Sequence, residues 1–148
     1  MVNLVRKEPA MLVRLQKAVV GGHEDHRRVI TDIVVEDIPF PVVQTKVIRF
    51  KPESVGKFAV GNHYHIVECN RWEFFVAVGP PALPLFTFRW CEAGQTANHS
   101  QYIMHNGDAC LIPPGNSHAF MPDEGGASLW GFSNLQYDSA HDVPEKLF

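Results

Sequence analysis

From Val29 onward the chain is broken into short runs rich in Val, Ile and Phe, each stopped by Pro, Gly or Asn before a helix could form. Nine such runs fall at residues 29–35, 42–50, 57–67, 72–78, 85–89, 101–105, 109–112, 117–120 and 128–133. Pro80, Pro81 and Pro84 separate two of them, and Pro113-Pro114-Gly115-Asn116 forms a tight turn between two others. Successive parallel strands need a helical crossover, and no strong helix intervenes here. The pattern therefore predicts an all-β fold, a sandwich or a closed barrel.

Only residues 1–20 offer helical spacing, with Leu12, Leu15 and Val19 three and four apart and Gly21-Gly22 as the stop. The expectation is a barrel over residues 29–148, preceded by an arm or short helix, residues 1–28, packed on it. The tail from Asp138 reads as a capping segment. A chain of 148 residues buries roughly two thirds of its unfolded surface, so neither a disulfide nor a second domain is required. Cys69, Cys91 and Cys110 are odd in number, lack a Cys-x-x-Cys pair, and are expected to be reduced structural thiols. The 13 basic and 16 acidic side chains give a net charge of −3 with no basic stripe, which points away from nucleic-acid and membrane-surface partners. Arg6, Lys7, Glu8 and Arg14 interrupt the apolar N-terminal residues, so no secretory core or spanning helix is expected and the expected location is cytoplasmic.

Two segments carry chemistry. In Gly61-Asn62-His63-Tyr64-His65 the histidines are two apart, so on a strand they share a face, as two cis ligands of one metal must, while Tyr64 faces the other way. With 8 histidines in the chain, such a pair alone is a weak signal. The second segment runs from Gly107 through Pro113-Pro114-Gly115-Asn116 to His118. There a strand ends in a Pro-Gly turn that reverses the chain and returns a histidine.

Together the segments resemble the motifs of the cupin superfamily, Gly-x5-His-x-His-x3,4-Glu-x6-Gly and Gly-x5-Pro-x-Gly-x2-His-x3-Asn. The resemblance covers residues 29 to 135 and implies a double-stranded β-helix, the jelly-roll barrel. It departs from the motifs in places: six residues separate Gly56 from His63, one too many, and Met121 and Pro122 stand where the final Asn would fall. In such barrels the three histidines and the glutamate bind one metal, which implies His63, His65 and His118 as ligands with Glu73 as the fourth, or Glu68 as its alternative. Counting back from Gly79 lands on Trp72, and a one-residue slip turns Glu73 to the opposite strand face. Either a bulge restores Glu73, or the site is three histidines and water. Such a donor set suits Zn, Fe, Ni, Cu or Mn.

The string Gly61 to His65, Ile38-Pro39-Phe40 and the segment Phe132 to Asp138 are similar to cupins acting on nucleotide sugars, the dTDP-4-dehydrorhamnose 3,5-epimerase relatives and sugar ketoisomerases. That likeness implies an epimerase- or isomerase-like reaction on a sugar derivative, with His63 as the base where no metal is bound. Those families carry an arginine for the diphosphate where this chain has Val60; Arg49, Lys57 and Arg71 could substitute but read as solvated surface charges. An iron-dependent dioxygenase and a non-catalytic small-molecule binder remain alternatives. His105, Tyr102, Phe120 and Trp130 are the expected pocket residues, and Tyr137 is a further candidate acid. His23, His26 and His99 read as solvated. Exposed strand edges predict a homodimer.

Overall fold

The computed structural model describes residues 11–148. Its strands, numbered along the described chain, form two five-stranded antiparallel sheets and one hairpin. The first sheet runs β1 (Arg14–Lys17), β9 (Asp108–Ile112), β6 (Glu73–Val78), β11 (Ser128–Ser133), β4 (Gln44–Arg49). The second runs β12 (Asp142–Pro144), β5 (Val60–His65), β10 (Asn116–Pro122), β7 (Phe86–Glu92), β8 (Ser100–Met104). The hairpin pairs β2 (Val19–Glu24) with β3 (Val29–Val34).

All nine strands expected from Val29 onward are present, and together they form the jelly-roll barrel that the motif resemblance implies. Phe75, Ala77, Cys110, Ile112 and Leu129 of one sheet meet Phe86, Phe88, Met104 and Phe120 of the other in the inner core. Phe120 stacks on Phe88 with ring centroids 4.7 Å apart, and Phe88 stacks on Trp90 at the same spacing. The alternate residues Phe74, Val76, Ala109 and Leu111 form a second cluster outside the first sheet, covered by Val20 and Ile33 of the hairpin and by Val35, Ile38 and Phe40. Both faces of β6 are thus buried, which is why its sequence is apolar from Phe74 to Val78 rather than alternating.

The helical spacing near the N-terminus is not realised over residues 11–20; residues 1–10 lie outside the described residues. Leu12 and Val19, members of the expected stripe, are 82% and 68% exposed, while Val13 and Val20 pack against the two clusters. The arm is a strand pairing with β9 and pinned by the Lys17–Asp108 ion pair, because the barrel offers an open edge that a helix could not satisfy. The capping segment also adds a strand, β12, to the edge of the second sheet.

Candidate metal centre

β5 and β10 pair with His63 opposite His118, but the register jumps there: Ala119 faces Gly61, so Asn62 is one residue too many on β5. The bulge is built on two left-handed residues, Gly61 (φ 89°) and Asn62 (φ 54°). A Cβ on Gly61 would meet the His118 carbonyl oxygen at 2.5 Å, so only glycine fits. The extra residue turns His63 to the inside, so that it lines the inner cavity together with Val60 although the two are three apart. His65 follows by plain alternation. The ring centroids of His63 lie 4.9 Å from those of both His65 and His118.

Glu73 comes from the opposite sheet. It shares the inner face of β6 with Phe75 and Ala77, so the slip inferred by counting from Gly79 does not occur: Gly79 lies beyond the end of β6, outside the pleat. The irregularity belongs to β5, not to β6. Glu73 is 2% exposed, with Oε1 2.5 Å from His65 Nε2 and 3.5 Å from His118 Nε2. Its Oε2 lies 3.2 Å from Lys46 Nζ and 3.7 Å from an Arg71 guanidinium nitrogen. Burial pushes the carboxyl up, and the contacts from His118 and His65 with the Lys46 charge reverse that and hold it well below the usual carboxylate range.

The imidazoles are oriented from behind. His118 Nδ1 lies 3.0 Å from the Asn116 carbonyl, which only accepts, so that nitrogen carries a proton and Nε2 is the atom turned to the cluster. Asp142 of β12 sets Oδ1 2.6 Å from His65 Nδ1 and Oδ2 3.6 Å from His63 Nδ1. The His65 pair is close but out of line for a hydrogen bond, which leaves His65 Nδ1 and Asp142 Oδ1 as buried polar atoms without one. Burial, and then the neighbouring His118, lower His63 to about 4 and keep it neutral.

His63, His65, Glu73 and His118 each bring one ligand atom, all within 4.8 Å of one another, and this group could hold a metal ion. Three imidazoles and one anionic carboxylate, largely buried and held from behind by a carbonyl and a second carboxylate, fit a first-row divalent ion. Glu68 is not part of the group; it sits exposed in the 3-10 turn Val67–Cys69. A cavity of about 40 Å³ adjoins the cluster, lined by His63, Glu73, His118, Lys46, Phe75 and Phe120 among others. Of the expected pocket residues, Phe120 is therefore in place.

The other three are elsewhere. Trp130 packs on the outer face of β11, because Leu129 beside it takes the inner one, and its Nε1 donates to Ser128. His105 lies past the far end of β8, half exposed beside Asp108, and the Tyr102 hydroxyl is directed to that same carboxylate at 3.5 Å. Tyr137 is 54% exposed, with the Arg71 guanidinium 5.8 Å from its ring. Arg71 itself is no solvated charge. It is 2% exposed, donating to the Leu135 carbonyl and to Gln44 Oε1. Lys46 and Asp142 are the residues that sequence reasoning missed; Lys46 alternates with Gln44 and Ile48 on the inner face of β4, but nothing in that run of residues tells which face is inner.

No family model matches the chain, and no curated protein does. Solved structures do. QdtA, a sugar 3,4-ketoisomerase from Thermoanaerobacterium thermosaccharolyticum in complex with TDP, superimposes with a TM-score of 0.64 at 15% identity, covering 90% of this chain and 88% of that one. WlaRA, a TDP-fucose-3,4-ketoisomerase from Campylobacter jejuni, gives 0.63 at 13% identity over 91% and 90%. ChmJ, a 3'-monoepimerase from Streptomyces bikiniensis in complex with dTDP-quinovose, gives 0.65 at 18% identity over 89% and 68%. At these identities the likeness establishes the fold, and the chain is a cupin-fold barrel of the same build as these sugar ketoisomerases and this epimerase.

Proposed function

We propose that this protein is a metal-binding cupin that moves a proton next to a ketone in a sugar or nucleotide-sugar derivative, as an isomerase or epimerase. The observation that carries the reading is the convergence of His63, His65, His118 and Glu73 at one end of the barrel with a single cation, Lys46, lining the same cavity. The kinship in fold with ketoisomerases and an epimerase supports the substrate class.

The reaction needs a base to take a proton from carbon and a positive group to accept the electron pair as it moves onto the ketone oxygen. His63 is the most open of the three histidines, 26% exposed at its side chain, and is neutral, so it can receive the proton wherever it is not itself a ligand. The Lys46 ammonium faces the cavity and is 39% exposed, placed to stabilise the oxyanion. Returning the proton to the former carbonyl carbon, with the adjacent hydroxyl giving up its proton to the oxyanion, gives the isomeric ketone; returning it to the other face of the same carbon gives the epimer. A divalent ion, when bound by His63, His65, Glu73 and His118, supplies Lewis-acid polarisation of a substrate oxygen. The cavity takes an ion and a few waters, so the sugar binds at its rim. Phe75 and Phe120 keep the inner wall dry.

The test is metal analysis of protein purified without chelator, with His63→Ala and His118→Ala beside it, and hydrogen exchange in D₂O on a nucleotide-linked 4-keto sugar. About one Zn, Fe, Ni or Mn per chain, lost in both variants, together with deuterium entering next to the ketone, is the expected result. Exchange without metal assigns His63 as the base. Neither metal nor exchange overturns the reading.

A further inference from the structure

The strand that carries Asp142 to the histidines cannot hold itself in place. β12 is three residues long, lies at the edge of its sheet and ends in Pro144, which has no N–H to give. Residues 145–148, directly after it, are held much more firmly than an edge strand of that length requires. Glu145 N donates to the Asn62 carbonyl at 2.8 Å, and the Asn62 side-chain oxygen accepts from Leu147 N at 2.8 Å and Phe148 N at 3.2 Å. From the other side, Arg89 donates to the Leu147 carbonyl at 2.8 Å and lays its guanidinium over the Phe148 ring at 4.1 Å. Leu147 is buried with Cys91 and Ala119.

Asn62 is also the bulge residue that turns His63 inward. One side chain therefore ties the histidine pair of β5 to the segment that brings their carboxylate. We infer that Asn62 and Arg89 are positioning residues, a clamp on residues 145–148 that keeps Asp142 against His65 and His63 and so holds their Nε2 atoms toward the centre; the inference rests on the metal-centre reading above. The physical reason is electrostatic: a carboxylate 2.6 Å from His65 Nδ1, although out of line for a hydrogen bond, favours the proton on that rear nitrogen and so biases ring orientation and tautomer, and losing such a partner behind a ligand imidazole weakens metal affinity by about 10- to 100-fold.

Asn62→Gly keeps the left-handed backbone and removes the acceptor, Asn62→Asp keeps both, and Arg89→Ala loosens the clamp from a strand that carries no ligand. Three measurements are made on the full chain: amide exchange over residues 142–148, the tautomer of His65 from long-range proton–nitrogen spectra, and the Kd for Co(II). In Asn62→Gly and Arg89→Ala the segment is expected to exchange at least about tenfold faster, the His65 tautomers to mix, and the Kd to rise about 10- to 100-fold, matching Asp142→Asn. Asn62→Asp is expected to stay near the parent in all three. Faster exchange with an unchanged tautomer and Kd would overturn the inference, as would unchanged exchange. If the parent binds no Co(II), the metal reading fails, and exchange and tautomer alone still decide whether the clamp positions Asp142.

Discussion

Arg71 shows how much of this centre is decided by a group that is not one of its four donors. Glu73 is fully buried and anionic, and it is tolerated because one oxygen faces His65 and His118 while the other faces Lys46 and Arg71. Arg71 in turn donates to the Leu135 carbonyl and Gln44 Oε1, which also accept from the Ser133 hydroxyl and from Tyr137 N. Arg71→Met is expected to lower unfolding stability by about 3 kcal/mol, because it breaks two buried hydrogen bonds and removes one of the two cations from a buried carboxylate. Arg71→Lys should recover only part, since an ammonium lacks the fork that reaches both acceptors at once. Urea denaturation measures it, and a loss under about 0.5 kcal/mol would mean that Arg71 is a bystander.

At the scale of elements, the bulge in β5 is the device that makes the site. Gly61 is one of several left-handed glycines, and Gly56 is another, with φ 68° and open space where a Cβ would go. Gly56→Ala should cost about 1 kcal/mol, the price of the conformation alone. Gly61→Ala adds a contact at 2.5 Å with the His118 carbonyl, a backbone atom that cannot swing away. It should cost about 3 kcal/mol and also displace His118, weakening metal binding. Equal losses for the two variants in thermal unfolding would refute the reading of Gly61. The sequence motifs located both histidine segments and nine strands, since alternation and Pro-Gly punctuation are local signals. They could not locate this bulge: whether a strand carries an extra residue depends on its partner, and so the inward turn of Glu73 stayed undecided. The partners of β1 and β12 are likewise far away in sequence, so local spacing reads the one as an arm or short helix and the other as a cap. Lys46 and Asp142 reach the centre only through such long-range pairings, which is why no spacing announced them.

For the molecule as a whole, placing uncharged imidazole and a carboxylate so deep makes stability depend on pH in a definite direction. His63 sits at about 4 in the folded protein against an ordinary 6.5. Above pH 6.5 the imidazole is neutral folded or unfolded, and its contribution is constant. Between 6.5 and about 4 only the unfolded chain takes up the proton, so stability falls as pH falls, by on the order of 3 kcal/mol across the window. Glu73 acts in the same sense at lower pH, because its folded carboxyl lies well below the ordinary 4.5 and the unfolded chain protonates first. The two effects add, and they run against the barrel from the acid side only. In chelator-treated protein the urea midpoint should hold steady from pH 8 to 7 and drop progressively from pH 6.5 to 4.5, while His63→Gln, with nothing to titrate at that position, should flatten the upper part of that drop. A midpoint that is level through this range in the parent chain would show that His63 is not held neutral by its burial among the other histidines, and the electrostatic account of the centre would have to be rebuilt on a charged imidazole paired with Asp142.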